Sequence, residues 1–226
     1  MLKAQGQPSR EADVALEELC RLYWYPLYVY VRRRAETRED AEDLTQSFFE
    51  RFLEKHYLEG LDNHKGRFRA FLLASLKHFL ANEWDRSRRQ KRGGGIPALS
   101  LDWQSAEARF QIEPADNLSP DKLYDRAWAI TLLDRVIVRL RQECARDGKL
   151  ELFDHLKPVL TSGKGAVNCS EAGAALRLSE GAVRVAIHRL RGRYRELLRE
   201  EIAQTLSDPG QAKEELQALF QAFSNE

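Results

Sequence analysis

"LRLSEGAVRVAIHRLRGRYRELL", residues 176–198, sets an apolar ladder inside a dense run of arginines. Val183, Ile187, Leu190, Tyr194 and Leu197 recur at three- and four-residue spacing, which places them on one face of a helix. Ser179 stands where a serine hydroxyl caps a first turn, with Leu178 and Val183 at the two positions of a hydrophobic staple. Arg184, Val185, His188, Arg189 and Gly192 then face away from the ladder. Upstream, "SEAGAALRL" predicts a short helix of small residues, entered at Ser170, that can approach its neighbour closely. A short helix, a tight turn and a capped second helix with an outward basic face form a helix-turn-helix pattern. From Arg177 to Arg199 seven arginines oppose Glu180 and Glu196, a local charge of +5. Ordinary solvated helices also carry arginine-rich faces, and a histidine such as His188 is by itself more often a solvated or packing residue than a base reader. The capped turn behind a short helix is what favours DNA binding.

Outward from that stretch, apolar spacing of three and four recurs and strand-like alternation is nearly absent, so the chain reads as all-α. One irregular segment interrupts it, "RGGGIPALSLDWQSAEARFQIEPADNLSP". Gly93 to Gly95 end any helix there, each glycine costing ~1 kcal/mol in a helix interior. The next block opens with Ser119 as cap, Pro120 at the first helical position and Asp121 at the positive helix end. The expected organisation is a helical domain over 11–92, an irregular linker over 93–119 and a second helical domain over 120–206 holding the helix-turn-helix. A tail over 207–226 follows the Pro209-Gly210 break, with Leu216, Leu219, Phe220 and Phe223 on one face of a short helix.

Composition narrows the function classes. A chain of 226 residues, 43% hydrophobic, can bury real cores in one or two domains, and its net charge of +1 leaves only local charge to mark a partner. Cys20, Cys144 and Cys169 are odd in number and far apart, without zinc spacing or a disulfide framework, and read as inert thiols. The N-terminal stretch lacks the apolar run of a signal peptide, and nothing approaches the ~18 apolar residues of a membrane span. A soluble, cytoplasmic protein without membrane contact is expected, with no catalytic residue, metal site or cofactor.

In the first block, "TREDAEDLTQSFFERFLEK", Thr37–Lys55, predicts a helix capped by Thr37 with Asp40 three residues on. Ala41, Leu44, Phe48 and Phe52 form its apolar face. From Glu36 to Glu54 seven acids oppose Arg38 and Arg51, a local charge of −5. A solvated helix with acids favoured at its N-terminus explains this equally well on spacing alone. Residues 63–92, "NHKGRFRAFLLASLKHFLANEWDRSRRQKR", follow, with Phe68, Leu72, Ser75, Leu76, Phe79 and Leu80 on one helix face. From Lys65 to Arg92 nine basic residues oppose Glu83 and Asp85, a local charge of +7. Basic side chains such as Arg88 and Arg89 hold phosphates, and aromatics among them stack on unpaired bases. For Phe71 and Phe79 a place in the core is the simpler reading. Trp84 lies among charges and is the better candidate for exposure.

These stretches resemble bacterial RNA polymerase sigma factors, closest to the extracytoplasmic-function group. "EAGAAL" and "LSEGAVRVAIHRLRGRYRELL" are similar to the helix-turn-helix that reads the promoter −35 element, and "DAEDLTQSFF" looks like the region that grips the polymerase clamp helices. The resemblance covers most of residues 11–200, in family order. It implies a non-catalytic initiation subunit whose partners are core RNA polymerase, promoter DNA and a possible anti-sigma or other regulatory protein. Asp40, Asp43, Gln46 and Phe49 are the implied polymerase contacts. Arg184, Val185, His188, Arg189 and Arg191 are the implied −35 contacts. Asn63, His64 and Lys65, in the loop "LEGLDNHKG" where family members capture a flipped base, join Trp84, Arg88 and Arg89 at the −10 element. The chain departs from the family pattern at Arg177, where the turn usually carries glycine, at Gly192 inside the helix, and at Phe71 and His78, where Trp and Asn are usual.

Two other readings stay open. A stand-alone helix-turn-helix regulator would use the first block for ligand or dimer contacts, though that block lacks an apolar pocket signal. A metal-dependent nuclease would use Glu39, Asp40, Glu42 and Asp43, but four acids within one and a half turns point in too many directions to converge. The linker acids Asp102, Glu107, Glu113 and Asp116 suit either a nucleic-acid mimic or a loosely packed spacer.

Overall fold

The computed structural model describes residues 22–54, 68–87, 102–112, 118–162, 165–206 and 209–223. Among these residues the regular elements are helices, and there is no strand. They are α1 over 22–32, α2 Arg38–Glu54, α3 Phe68–Ser87, α4 Trp103–Ile112, α5 Pro120–Arg146, α6 Leu150–Leu156, α7 Pro158–Thr161, α8 Cys169–Leu176, α9 Glu180–Gln204, a 3-10 turn Pro209–Gln211, and α10 Ala212–Gln221. No helix among them is long and apolar enough to cross a membrane. Gly93–Gly95 and their helix-ending role lie outside the described residues.

The chain divides into two compact units. One takes in Met1–Thr131, Thr205–Asp208 and Gln217–Glu226; the other takes in Leu132–Gln204 and Pro209–Leu216. The division therefore falls inside α5 instead of at 93–119, and the tail 207–226 is shared between the units. The segment 93–119 is not irregular throughout, because α4 occupies its middle. Asp102 caps that helix, its Oδ1 accepting from the Ser105 N–H at 3.1 Å. The tail helix forms, but its expected apolar face is only partly covered. Leu219 is buried, whereas Phe220 and Phe223 stay exposed.

The first unit is built around α1. Tyr23, Tyr25, Leu27, Tyr28, Val29, Tyr30 and Val31 are all buried, as a helix apolar on every side must be. Trp103 of α4 meets Trp24 and Tyr28 at ring separations of 5.6 and 5.7 Å. Phe68 of α3 meets Tyr23 at 5.2 Å. Phe48 of α2 reaches Phe79 of α3 at 5.6 Å. The first turns of α5 hold α3 through Arg69, which pairs with Asp125 at 2.6 Å and stacks over Trp128. The Ser119 cap on α5 is formed, with Ser119 Oγ accepting from the Lys122 N–H at 3.3 Å.

The second unit carries a core of Leu132, Val136, Leu140, Phe153, Leu156, Val159, Val183, Leu190, Leu197 and Ile202. α5 ends at Arg146 and the chain turns at Gly148, whose φ of +69° suits glycine, with the Lys149 N–H donating back to the Cys144 carbonyl at 2.7 Å. Along α9, buried Glu201 accepts from Arg135 at 2.9 Å and from Arg139 at 3.1 Å, fastening α9 to α5.

Glu107 is the polar tie between α4 and α1. Its carboxylate accepts from the Tyr28 hydroxyl at 2.5 Å and from Arg32 Nε at 3.3 Å. Burial alone would push this carboxyl up, but the hydrogen bonds from Tyr28, Arg32 and Gln111 together outweigh it and hold the group below the usual glutamate range. Glu107 is thus taken up internally and is not presented as a nucleic-acid mimic. Glu107→Gln is expected to lower stability by ~1–3 kcal/mol at neutral pH. A carboxyl with a depressed folded pKa contributes fully above its unfolded pKa of about 4.3 and loses that contribution as pH falls through the folded value. The difference in urea midpoint between wild type and variant should hold across neutral pH and close in acid; a gap that persisted at about pH 2 would contradict this account.

Candidate nucleic-acid interface

The cap of α8 stands two residues before Ser170. Asn168, in extended backbone, is the cap, and its Oδ1 accepts from the Ser170 N–H at 3.0 Å. Ser170 is already inside the first turn, so its N–H is the group being capped, and it does no capping itself. The helix ends at Arg177 in left-handed backbone, φ 56° and ψ 40°, the only non-glycine residue with positive φ among the described residues. The arginine accepts the conformation that glycine would take more easily.

The turn closes on one acceptor. The Gly173 carbonyl takes the N–H of Arg177 and, at 2.9 Å, that of Leu178. Gly173 is itself buried, and a Cβ there would stand 2.7 Å from the Leu178 carbonyl oxygen. Ser179 then caps α9, its Oγ accepting from the Ala182 N–H at 3.2 Å. Of the staple pair, Val183 is fully buried while Leu178 remains 38% exposed.

This turn fixes which way α9 faces. Val183, Leu190, Leu197, Leu198 and Ile202 are buried, and Ile187 and Tyr194 are half-buried. Arg184, Val185, His188 and Arg189 are exposed on the other side. Arg184 pairs with Glu180 one turn earlier; both are well exposed, so the pair is weak and exchangeable. Arg189 has no ion pair among the described residues. The helix runs unbroken through Gly192 to Gln204.

Two arginines of the stretch turn inward. Arg191 Nη2 donates to the Val159 carbonyl at 3.2 Å, which removes Arg191 from the expected DNA face. At 100° per residue, position 191 lies two turns and about 80° beyond Val183, beside α7, instead of opposite the core. Arg193 clasps Glu143 through two bonds of 2.8 and 2.9 Å and also reaches Glu196 and Glu200. Hydrogen bonding to Glu143 raises its guanidinium pKa further, so it is a fixed structural cation.

In the first unit, Thr37 Oγ1 accepts from the Asp40 N–H at 3.1 Å and donates to the Asp40 carboxylate at 2.7 Å, forming the expected cap. Asp40 and Asp43 are exposed. Gln46 is half-buried and donates to Glu50 at 3.0 Å. Phe49 cannot be an apolar anchor, because it is 2% exposed. The buried stripe of α2 is wider than the four residues expected: Ala41, Thr45, Phe48, Phe49 and Phe52 follow the i, i+4, i+7, i+8, i+11 pattern.

Of the expected −10 residues, Asn63, His64, Lys65, Arg88 and Arg89 lie outside the described residues. Trp84 falls within α3, and its side chain lies outside them too. Phe79 is core, and Phe71 is half-buried. Sequence reading missed a cavity of about 250 Å³ that places Ser75, His78 and Asn82 of α3 opposite Phe48 and Phe52 of α2. The three-then-four spacing of those polar residues was the available signal.

No family model, curated protein or solved structure matches the chain.

The turn yields a pair of opposite expectations. Gly173→Ala forces its Cβ against backbone and should cost ~1–3 kcal/mol. Arg177→Gly relieves a left-handed arginine and should gain up to ~1 kcal/mol. Urea midpoints followed by circular dichroism measure both; shifts of the same sign would contradict the turn geometry.

Proposed function

We propose that the chain is a sigma-factor-like initiation subunit, which binds core RNA polymerase, directs it to promoters and helps open the duplex. The observation that carries this reading is the α8–α9 pair. Two capped helices meet at a closed turn, and the second presents Arg184, Val185, His188 and Arg189 on one exposed face. That arrangement suits a helix-turn-helix whose second helix enters a major groove, with arginine and histidine reaching base edges and phosphates.

The exposed acids of α2 add an independent feature. Asp40 and Asp43 are open to a basic partner surface, with Gln46 at their edge. In this reading they grip the polymerase, while the basic stretch 65–92 serves the −10 element. Phe49 and Arg191 drop out of the contact set, since both are occupied internally. The chain itself performs no nucleotide chemistry; polymerase does that. Two DNA-binding blocks held by one polymerase make the second contact intramolecular, which can raise affinity ~10²–10⁴-fold when the geometry fits.

Two expectations test the reading. Arg184→Ala or His188→Ala should cost ~1–3 kcal/mol on the preferred −35 sequence and relax its selection, whereas Arg193→Ala should leave sequence preference intact. A binding-site selection that returned the wild-type preference for Arg184→Ala would remove α9 as the reader. Asp43→Arg should abolish co-elution with core polymerase by setting like charges together. Tight dimeric binding of the free chain to a palindromic site, without melting, would instead identify a stand-alone regulator.

A further inference from the structure

The second unit holds a cleft of about 560 Å³ whose lining includes Val185 and Arg189 of the exposed face of α9. Its volume lies within the range of small-molecule sites. One wall comes from the end of α5 and from α6, through Leu140, Cys144 and Leu152. The other comes from the turn before α9 and its first half, through Leu178, Val185 and Ala186. Val185 is 50% exposed at this cleft, so apolar surface faces water there. Cys144 adds to that surface, since burial pushes its thiol up and keeps it protonated.

The charges around the cleft decide what it can hold. Glu143 is engaged by Arg193 through two hydrogen bonds. Asp147 is paired with Lys149 at 3.1 Å. Arg189 alone among the cleft's charged groups has no ion pair among the described residues. The rim therefore carries one uncompensated positive charge beside an apolar trough.

We propose that this cleft binds a free single-chain amphiphilic carboxylate, its head group on Arg189 and its chain along Leu140, Leu152 and Val185. A guanidinium matches a carboxylate through two parallel N–H···O bonds. One spare cation suits a monoanion and leaves a dianion half unpaired. Each methylene laid into the trough leaves water, which should raise affinity roughly fourfold.

The test is calorimetric titration of the full chain with dodecanoate, below its micelle concentration and without DNA or polymerase, so that it does not depend on the promoter reading. One saturable site is expected, with octanoate and decanoate weaker in order. Dodecanol should bind roughly tenfold more weakly, and Arg189→Ala should lose a similar factor for dodecanoate. Ala186→Trp, which fills the trough, should abolish binding. Leu152→Glu, which sets an acid on the opposite wall, should do the same and covers the case in which the tryptophan variant fails to fold. The proposal is overturned by absence of saturable binding, by equal affinity for dodecanol, or by unchanged binding in Leu152→Glu. It is also overturned if an amphipathic leucine–lysine helical peptide occupies the cleft while dodecanoate gives no signal.

Discussion

The second unit depends on one carbonyl. Gly173 accepts from both Arg177 and Leu178, and the missing Cβ lets the Leu178 carbonyl come within a distance no side chain would allow. A bulkier residue at 173 would push the turn outward and rotate α9 about its axis. Rotation by one residue is about 100°, enough to exchange an outward arginine for an inward one. The left-handed backbone at Arg177 is the cost of this closure, set against a Gly173 carbonyl supplied with two donors at the helix end, where carbonyls are otherwise left unpaired.

The arginines of α9 consequently do different work although they look alike in sequence. Arg193 and Arg191 are fastened inside the unit, one to Glu143 and one to the Val159 carbonyl. Arg135 and Arg139 of α5 return the pattern by converging on Glu201. A buried glutamate with two guanidinium partners specifies register more than it adds stability, because its desolvation offsets much of the attraction. Losing one guanidinium would leave the buried Glu201 with a single partner, and losing both would leave its charge without compensation, so the pairing of α5 with α9 tolerates few alternatives. What remains exposed for an outside partner is Arg177, Arg184, Arg189, Arg195 and Arg199 with His188, two arginines fewer than the sequence count suggests.

The caps were the most legible part of the chain. Thr37, Ser119 and Ser179 each stand one residue before a helix with the acceptor their chemistry implies. The apolar ladder of α9 was legible for the same reason: its period is local. α1 is not legible in the same way, because "LYWYPLYVYV" is apolar on every side and offers no periodic contrast. α4 was hidden by glycine and proline on both flanks, and its dominant contacts are aromatic pairs with a helix some 75 residues away in sequence. Phe49 and Arg191 were misplaced because each sits at the border of a helix face. There the outcome depends on which neighbour packs alongside, and that is tertiary information. The cleft was illegible in the same way, since its walls come from three separate helices.

In the proposed reading, the pair of Arg184 with Glu180 helps an exposed basic face stay selective. Glu180 lies in the first turn of α9, where the helix end favours a negative charge even without a partner. Releasing Arg184 therefore costs little, a few tenths of a kcal/mol for an exposed pair four residues apart. A phosphate or guanine edge replaces the carboxylate with similar hydrogen bonds. Glu180 in that reading stays beside the DNA-contacting residues, and its charge repels any phosphate not offset by correct contacts at Arg184 and His188. In the proposed reading, α9 alone thus binds nonspecific duplex weakly and gains most where base contacts release Arg184. Discrimination by that route requires a second anchor to hold the chain near DNA, and in the proposed reading the exposed acids Asp40 and Asp43 of α2 supply it by binding polymerase.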